Sequence, residues 1–387
     1  MRRERIAPRP DWKSRLESVG LNYHTDDDGT PCWREDAHYR FSMAEILGIE
    51  RAVQDLQGMC TQAVAHVLEH GRFQGYGIPP ALIPAIRESW ERDEVSIYGR
   101  FDLAYREGSP PKLLEYNADT PTSLVEAAIA QWYWLEERFP GLDQFNSLHE
   151  RLVAAWKRAA GYLPVGTVYF LNQDTWEDHQ TVAYLRDTAD QAGLSTAQMA
   201  LEDLGWDGTQ NHFVDLDGRP VRAAFKLYPW EFMWKDAFAA QLARVPRPCA
   251  FLEPAWKMLL SNKALLAILW ELFPDSPYLL PAYLDGPHGM PAYVKKPILA
   301  REGANVEIHT PQGTHAAAEV RACYGAEGHV YQGYAPLPEF DGFHPVLGAW
   351  VVDGEPAGMG IRESAGPITD NASCFVPHVI EGEGRKS

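Results

Sequence analysis

The sequence predicts a mixed α/β fold of the α+β kind, with one small, largely parallel sheet set inside it. Three observations carry this expectation. Helix-period apolar spacing dominates the chain up to about Glu94. Strand, helix and strand alternate at short range between Val165 and Tyr228, the pattern of a parallel sheet. The last third reads as a succession of strands.

The elements follow in order. Residues 1–94 read as mostly helical, with 44–69 the clearest amphipathic segment. Residues 97–105 and 112–116 are rich in aromatic and apolar side chains. Between them lies Arg106-Glu107-Gly108-Ser109-Pro110-Pro111, a turn by composition, so the pair reads as a β-hairpin. Residues 124–135 are helix-like. Pro140-Gly141 marks a break before a helix at 148–160. Residues 165–171 form a buried-type strand, 177–193 a helix, and 199–204 and 222–228 further apolar segments. A helix at 263–273 stops at Pro274. Strands are expected at 292–296, 305–309, 329–334, 346–352 and 358–363. Three parts result: 1–145, 146–250 and 251–387.

Composition bounds the function. The 387 residues are 45% hydrophobic and 12% aromatic, enough for a large core and more than one subdomain. A net charge of −18 argues against nucleic acid or an anionic membrane as partner. It would draw a cationic small molecule, although solubility alone explains an acidic surface. Cys32, Cys60, Cys249, Cys323 and Cys374 are scattered and odd in number, which fits reduced, buried thiols in a cytoplasmic protein. No His/Cys cluster has zinc spacing. The charged N-terminus leads into no apolar segment, so no signal peptide is expected, and no run reaches transmembrane length. Asn371-Ala372-Ser373 matches a glycosylation sequon, which carries no meaning without secretion.

The hairpin is the most informative stretch. Side chains alternate faces along a strand, so Arg100 shares a face with Asp102, and Glu115 shares one with Asn117. If the register joins those faces, Asp102, Glu115 and Asn117 offer hard oxygens to Mg²⁺. Arg100 would then neutralise phosphate charge. The same residues would equally suit an edge hairpin facing water. Farther on, Ser261-Asn262-Lys263 opens the helix at 263–273 and puts Lys263 beside the positive helix end, which suggests a nearby anion; a lysine pointing away fits as well. Lys295 and Lys296 are adjacent in a strand and face opposite sides. Lys296, before Pro297, points inward, and a buried lysine needs an anion such as a phosphate. The loop at 299–306 contains Gly303 and can bring N–H groups to phosphates. Gln332 lies in a strand end whose backbone can pair with an adenine edge, or simply end a strand. Arg362, between glycine and glutamate in Gly360-Ile361-Arg362-Glu363, can face a developing oxyanion.

Together, Gly99-Arg100-Phe101-Asp102, Leu114-Glu115-Tyr116-Asn117-Ala118-Asp119-Thr120-Pro121-Thr122-Ser123, Ser261-Asn262-Lys263, Lys296-Pro297, Arg301-Glu302-Gly303 and Gly360-Ile361-Arg362-Glu363 resemble the synthetase portion of the glutathionylspermidine synthase family. The match runs over nearly the whole chain in one order. It is closer to standalone members than to those with an N-terminal amidase domain. The resemblance implies an ATP-grasp fold, circularly permuted, with a pre-ATP-grasp-like α/β subdomain at 146–250. It implies ATP and Mg²⁺ as cofactors, with Asp102, Glu115 and Asn117 as metal ligands. Lys263 and Lys296 would bind the nucleotide, with Gln332 beside it, and Arg301 would close over the site. Arg100 and Arg362 would stabilise the acyl phosphate and the tetrahedral intermediate. Thr120, Thr122, Glu177 and Asp178 would contact the acid and amine substrates. The implied activity is a carboxylate–amine ligase using a peptide or amino-acid carboxylate and an amine, polyamines included. Leu227 stands where the family has a substrate-contacting threonine, so the reaction type carries over and the substrate names do not. The alternatives are an ATP-binding sensor or scaffold without turnover, and a metal-dependent hydrolase built on Asp102 and Glu115. Oligomeric state is not read from the sequence.

Overall fold

Strands Tyr98–Ala104 and Lys112–Asn117 pair antiparallel, and they join a larger sheet. Its order is Cys374–Val376, Glu355–Ser364, His344–Val352, Tyr98–Ala104, Lys112–Asn117, antiparallel throughout. The early ribbon and the last strands of the chain are therefore hydrogen-bonded neighbours. This computed structural model describes residues 1–26, 29–173, 175–317, 320–370 and 372–382, so Asn371 of the sequon lies outside the described residues.

A second antiparallel sheet carries Ala282–Tyr283, His329–Gly333, Tyr293–Pro297, Glu307–Thr310 and Gly313–Ala316 in that order. The α/β unit is a parallel sheet of Ala250–Leu252, Ala223–Lys226, Thr167–Asn172 and Ser195–Ala200. Helices Leu148–Ala159 and Trp176–Gln191 pack together beside it. Its inner strands Ala223–Lys226 and Thr167–Asn172 are buried at almost every position, as parallel strands covered on both faces are, while the edge strand Ser195–Ala200 is partly exposed.

The long helix Met43–His70 forms as its periodicity predicts. A capping box starts it: Ser42 Oγ accepts from Glu45 N at 3.3 Å, and Glu45 Oε2 accepts from Ser42 N at 2.9 Å. Gly71, at φ 66°, ends it. Its apolar stripe, with Ile49, Val53, Leu56 and Val64, is buried in the main core.

Three expectations fail. Of the five thiols expected to be buried, Cys60, Cys249 and Cys374 are, whereas Cys32 is half-buried and Cys323 exposed. The first ninety-odd residues are not mostly helical, because Arg2–Arg5 and Ala37–Ser42 form a sheet with His378–Glu381. The partner strand lies at the other end of the chain, so no local pattern announces it. The helix expected at 263–273 begins only at Leu265. Asn262 Oδ1 accepts from Ala264 N, and Lys263 N donates to Ile298 O, so Lys263 sits in a preceding turn.

Candidate functional site

The hairpin register sets Arg100 opposite Asn117 and Asp102 opposite Glu115. Between them, Phe101 and Tyr116 face the other way and stack at 3.9 Å between centroids in the main core. Burial of that aromatic pair fixes which face is inward, so the four polar residues emerge together on the opposite face. The neighbouring strand crosses at Gly348, where an added Cβ would lie 2.8 Å from Arg100 Cδ. Glycine there leaves the path along which Arg100 reaches its partners.

Those partners come from distant segments. Arg100 donates to Asp102 with Nε at 2.7 Å and Nη2 at 3.2 Å, and its Nη1 donates to the Thr122 carbonyl at 2.6 Å. Arg362 Nη2 reaches Asp102 Oδ2 at 3.0 Å. Lys263 Nζ lies 3.0 Å from Glu115 Oε2. Lys296 is buried and donates to Gln332 Oε1 at 2.8 Å and to the Leu114 carbonyl at 3.0 Å. Four cations (Arg100, Arg362, Lys263, Lys296) therefore surround two carboxylates (Asp102, Glu115); four minus two leaves two positive charges in one cluster. Arg362 is the residue that shows the strain: burial and then Arg100 push its pKa down. Like charges held this close call for an anion.

The electrostatics follow from burial and pairing. Burial alone would raise the Glu115 pKa, but Lys263 and Lys296 overcome it and hold the carboxyl at about 2. Burial lowers the Lys296 ammonium to about 8, against the pull of Glu115. Asp102, Glu115 and Asn117 lie within reach of one another: Asn117 Nδ2 is 3.3 Å from Asp102 Oδ2 and 3.3 Å from Glu115 Oε1. An amide's O and N exchange by a flip. Flipped, Asn117 completes a hard-oxygen trio suited to Mg²⁺. Among the described residues no group of three His, Cys, Asp or Glu is placed to hold a metal, so such an ion relies on Asn117 and on oxygens brought by its ligand.

One cavity is lined by Arg100, Asp102, Glu115, Asn117, Thr120, Thr122, Glu177, Lys296, Arg301, Gln332 and Arg362. Lys263 stands behind Glu115. Asp178 does not line the cavity; it sits in the first turn of Trp176–Gln191, where its N–H is capped by Thr175, and burial raises its carboxyl to about 6. Glu177, one residue earlier, is turned in; burial and then Asp178 raise its pKa. Leu227 is buried and outside the cavity wall.

The loop after Ile298 is tied down by polar contacts. Arg301 donates to Glu231 Oε1 at 3.2 and 3.0 Å and to Thr120 Oγ1 at 2.8 Å. Asn305 Nδ2 donates to the Arg321 and Tyr324 carbonyls. Gly303, at φ 69°, passes so close beneath Thr369 that a Cβ would lie 2.3 Å from its carbonyl. Sequence reasoning missed Glu231, the Asp119–Lys226 pair that supports Thr120, and Glu126. Only Glu126 carried a signal: one acid amid Leu124-Val125 and Ala127-Ala128-Ile129-Ala130.

Comparison with known proteins gives a consistent set. A family model described as glutathionylspermidine synthase preATP-grasp matches residues 3–381. The chain is 42% identical to a Haemophilus influenzae protein provisionally named an acid–amine ligase, over 96% of this chain and 97% of that one. It is 31% identical to trypanothione synthetase of Crithidia fasciculata, over 94% of this chain and 57% of the other. It is 26% identical to the bifunctional glutathionylspermidine synthetase/amidase of Escherichia coli, over 89% and 60%. The chain thus spans less than two thirds of the latter two proteins. Among the described residues no helix is long and apolar enough to cross a membrane.

Proposed function

Because the chain belongs to the glutathionylspermidine synthase family, a family of ligases and synthetases by the names of its relatives, we propose that it joins a carboxylate to an amine at the expense of ATP. The carboxylate attacks the γ-phosphate to give an acyl phosphate, the amine attacks the acyl carbon, and phosphate leaves. On this reading the body is an ATP-grasp fold, with residues 146–250 as the pre-ATP-grasp-like unit. The acid is a peptide or amino acid; glutathione and polyamines are the first candidates, because relatives carry them in their names.

The observation that carries the reading is the mixed charge gathered at one cavity. Arg100, Arg362 and Lys296 line it, with Lys263 behind Glu115, and their excess of positive charge over Asp102 and Glu115 fits a polyphosphate. Glu126 and Glu177 line the same cavity and fit a cationic amine. Mg²⁺, held by Asp102, Glu115 and Asn117, would supply charge neutralisation to the phosphates. Arg100 and Arg362 face the charge that develops at the acyl phosphate. Arg301 and Gly303 close the side from which water would hydrolyse that intermediate.

The test is ADP release by the intact chain with glutathione, short γ-glutamyl peptides and polyamines as probes. Release that needs both an acid and an amine is expected. Mg·ATP binding without such release would favour a nucleotide sensor. Asn117→Ala is expected to abolish turnover.

The Lys296 ammonium sets a pH dependence. Its pKa is lowered to about 8, so the free protein loses this charge as pH rises through about 8. Phosphate binds the charged form. Mg·ATP affinity is therefore expected to be full below about 8 and to weaken above it, by up to about tenfold per pH unit. Calorimetry across pH 6.5 to 9.5 (a range chosen to span about one and a half units either side of 8) checks this. Lys296→Met should flatten the profile.

A further inference from the structure

Glu126 lies in the cavity wall, nine positions after Asn117, and the hairpin's metal-type residues do not touch it. The chain reaches it through a π-helical turn, Glu126–Ala130, that runs into helix Gln131–Arg138. A π turn carries an extra residue per turn and re-aims its side chains, and it recurs at functional sites. Here it buries Ala127, Ala128 and Ala130 and leaves Glu126 facing the cavity. Among the described residues Glu126 has no hydrogen bond or ion pair to another side chain. The charged and titratable groups facing it are Glu177 from helix Trp176–Gln191, Arg362 and Arg100 from the central sheet, and Cys32 from the N-terminal segment. Burial raises its carboxyl to about 7, Glu177 adds to the rise, and the two arginines oppose it.

The proposed reaction leaves one chemical need unmet. An alkyl amine near pH 7 is an ammonium ion, with no lone pair to attack. At pH 7 the arginines and lysines at the acyl phosphate already carry their protons and cannot accept another. We propose that Glu126 is the general base of this reaction, taking the proton from the ammonium held between it and Glu177; this rests on the ligase function proposed above. R–NH₃⁺ gives one proton to the Glu126 carboxylate. The freed lone pair forms the C–N bond at the acyl carbon. The C–O bond to phosphate then breaks, and phosphate leaves with that electron pair. The second proton on nitrogen goes to the departing phosphate, and the amide results. A carboxyl poised near neutrality is suited to the transfer.

Two nucleophiles separate this role from a structural one. Spermidine is almost wholly protonated at pH 7, whereas hydroxylamine is largely neutral and needs no base; both are tested with glutathione or whichever panel acid supports ADP release. For Glu126→Gln at pH 7, the ratio of the spermidine rate to the hydroxylamine rate is expected to fall about 100-fold. The wild-type rise of the spermidine rate between about pH 6 and 8 should disappear with it. A ratio within about threefold of wild type overturns the assignment. If Glu126→Gln reacts with neither nucleophile, Glu126→Asp decides: a selective loss with spermidine supports the base, and an equal loss with both overturns it. No ATP-dependent reaction of the wild-type protein with either nucleophile would instead strike at the ligase function itself.

Discussion

Arg362→Ala is expected to lower amine-dependent ADP release by about 10²- to 10³-fold while the protein stays folded. The guanidinium sits 3.0 Å from Asp102, and burial and Arg100 together disfavour its charge. A group held in that state gains most when negative charge develops beside it. The loss should appear in kcat, with KM for ATP changed far less, because the interaction strengthens only as the acyl phosphate and the tetrahedral species form. Asp102 keeps its two bonds from Arg100 in the variant, so no carboxylate is left unpaired. An unchanged melting temperature with a collapsed kcat is the expected signature. A lowered melting temperature with proportionate loss of rate and affinity would make Arg362 a structural residue.

The second large effect is on stability. Lys226 and Asp119 are both fully buried and meet at 2.5 Å. Asp119 Oδ2 also accepts from Trp230 N at 2.9 Å, and Lys226 Nζ donates to the Tyr228 carbonyl at 3.0 Å. This pair joins the segment after the hairpin to the end of an inner strand of the parallel sheet. Lys226→Met leaves the Asp119 charge buried with one backbone donor, and is expected to cost about 3 to 5 kcal/mol. Denaturant unfolding measures it. The double variant Asp119→Asn, Lys226→Met should recover much of the loss, since a neutral buried pair carries a far smaller desolvation penalty. Asp119 precedes Thr120, which receives Arg301, so single variants should also loosen the loop over the cavity.

The local part of this structure was legible in the sequence, and the reason is period. Two-residue alternation in Arg100-Phe101-Asp102 and Glu115-Tyr116-Asn117 identifies both strands and both faces, and the short polar turn fixes that they pair. The same logic turns Lys296 inward, because Lys295 beside it must face the other way. What the sequence could not display is pairing between distant segments. Nothing in Arg2–Arg5 or Ala37–Ser42 announces His378–Glu381, and apolar spacing alone made that region look helical. Lys263 was placed on a helix that starts two residues later, because Asn262 caps Ala264 and Lys263 pairs with Ile298 instead. Thr175 caps the N–H of Asp178 as a local motif suggests, but only the packed helix shows that Glu177 and not Asp178 enters the cavity. Glu126 escaped because a π turn has no sequence period to betray it.

The most direct measurement follows oxygen. The acid probe is labelled with ¹⁸O in its carboxylate and turned over with ATP and amine, and the released phosphate is analysed by mass spectrometry. Carboxylate attack on the γ-phosphate carries one labelled oxygen into phosphate for every amide formed. Phosphate released without label during amide formation would contradict the acyl phosphate and the reading of this cavity's cationic and acidic groups on which it stands.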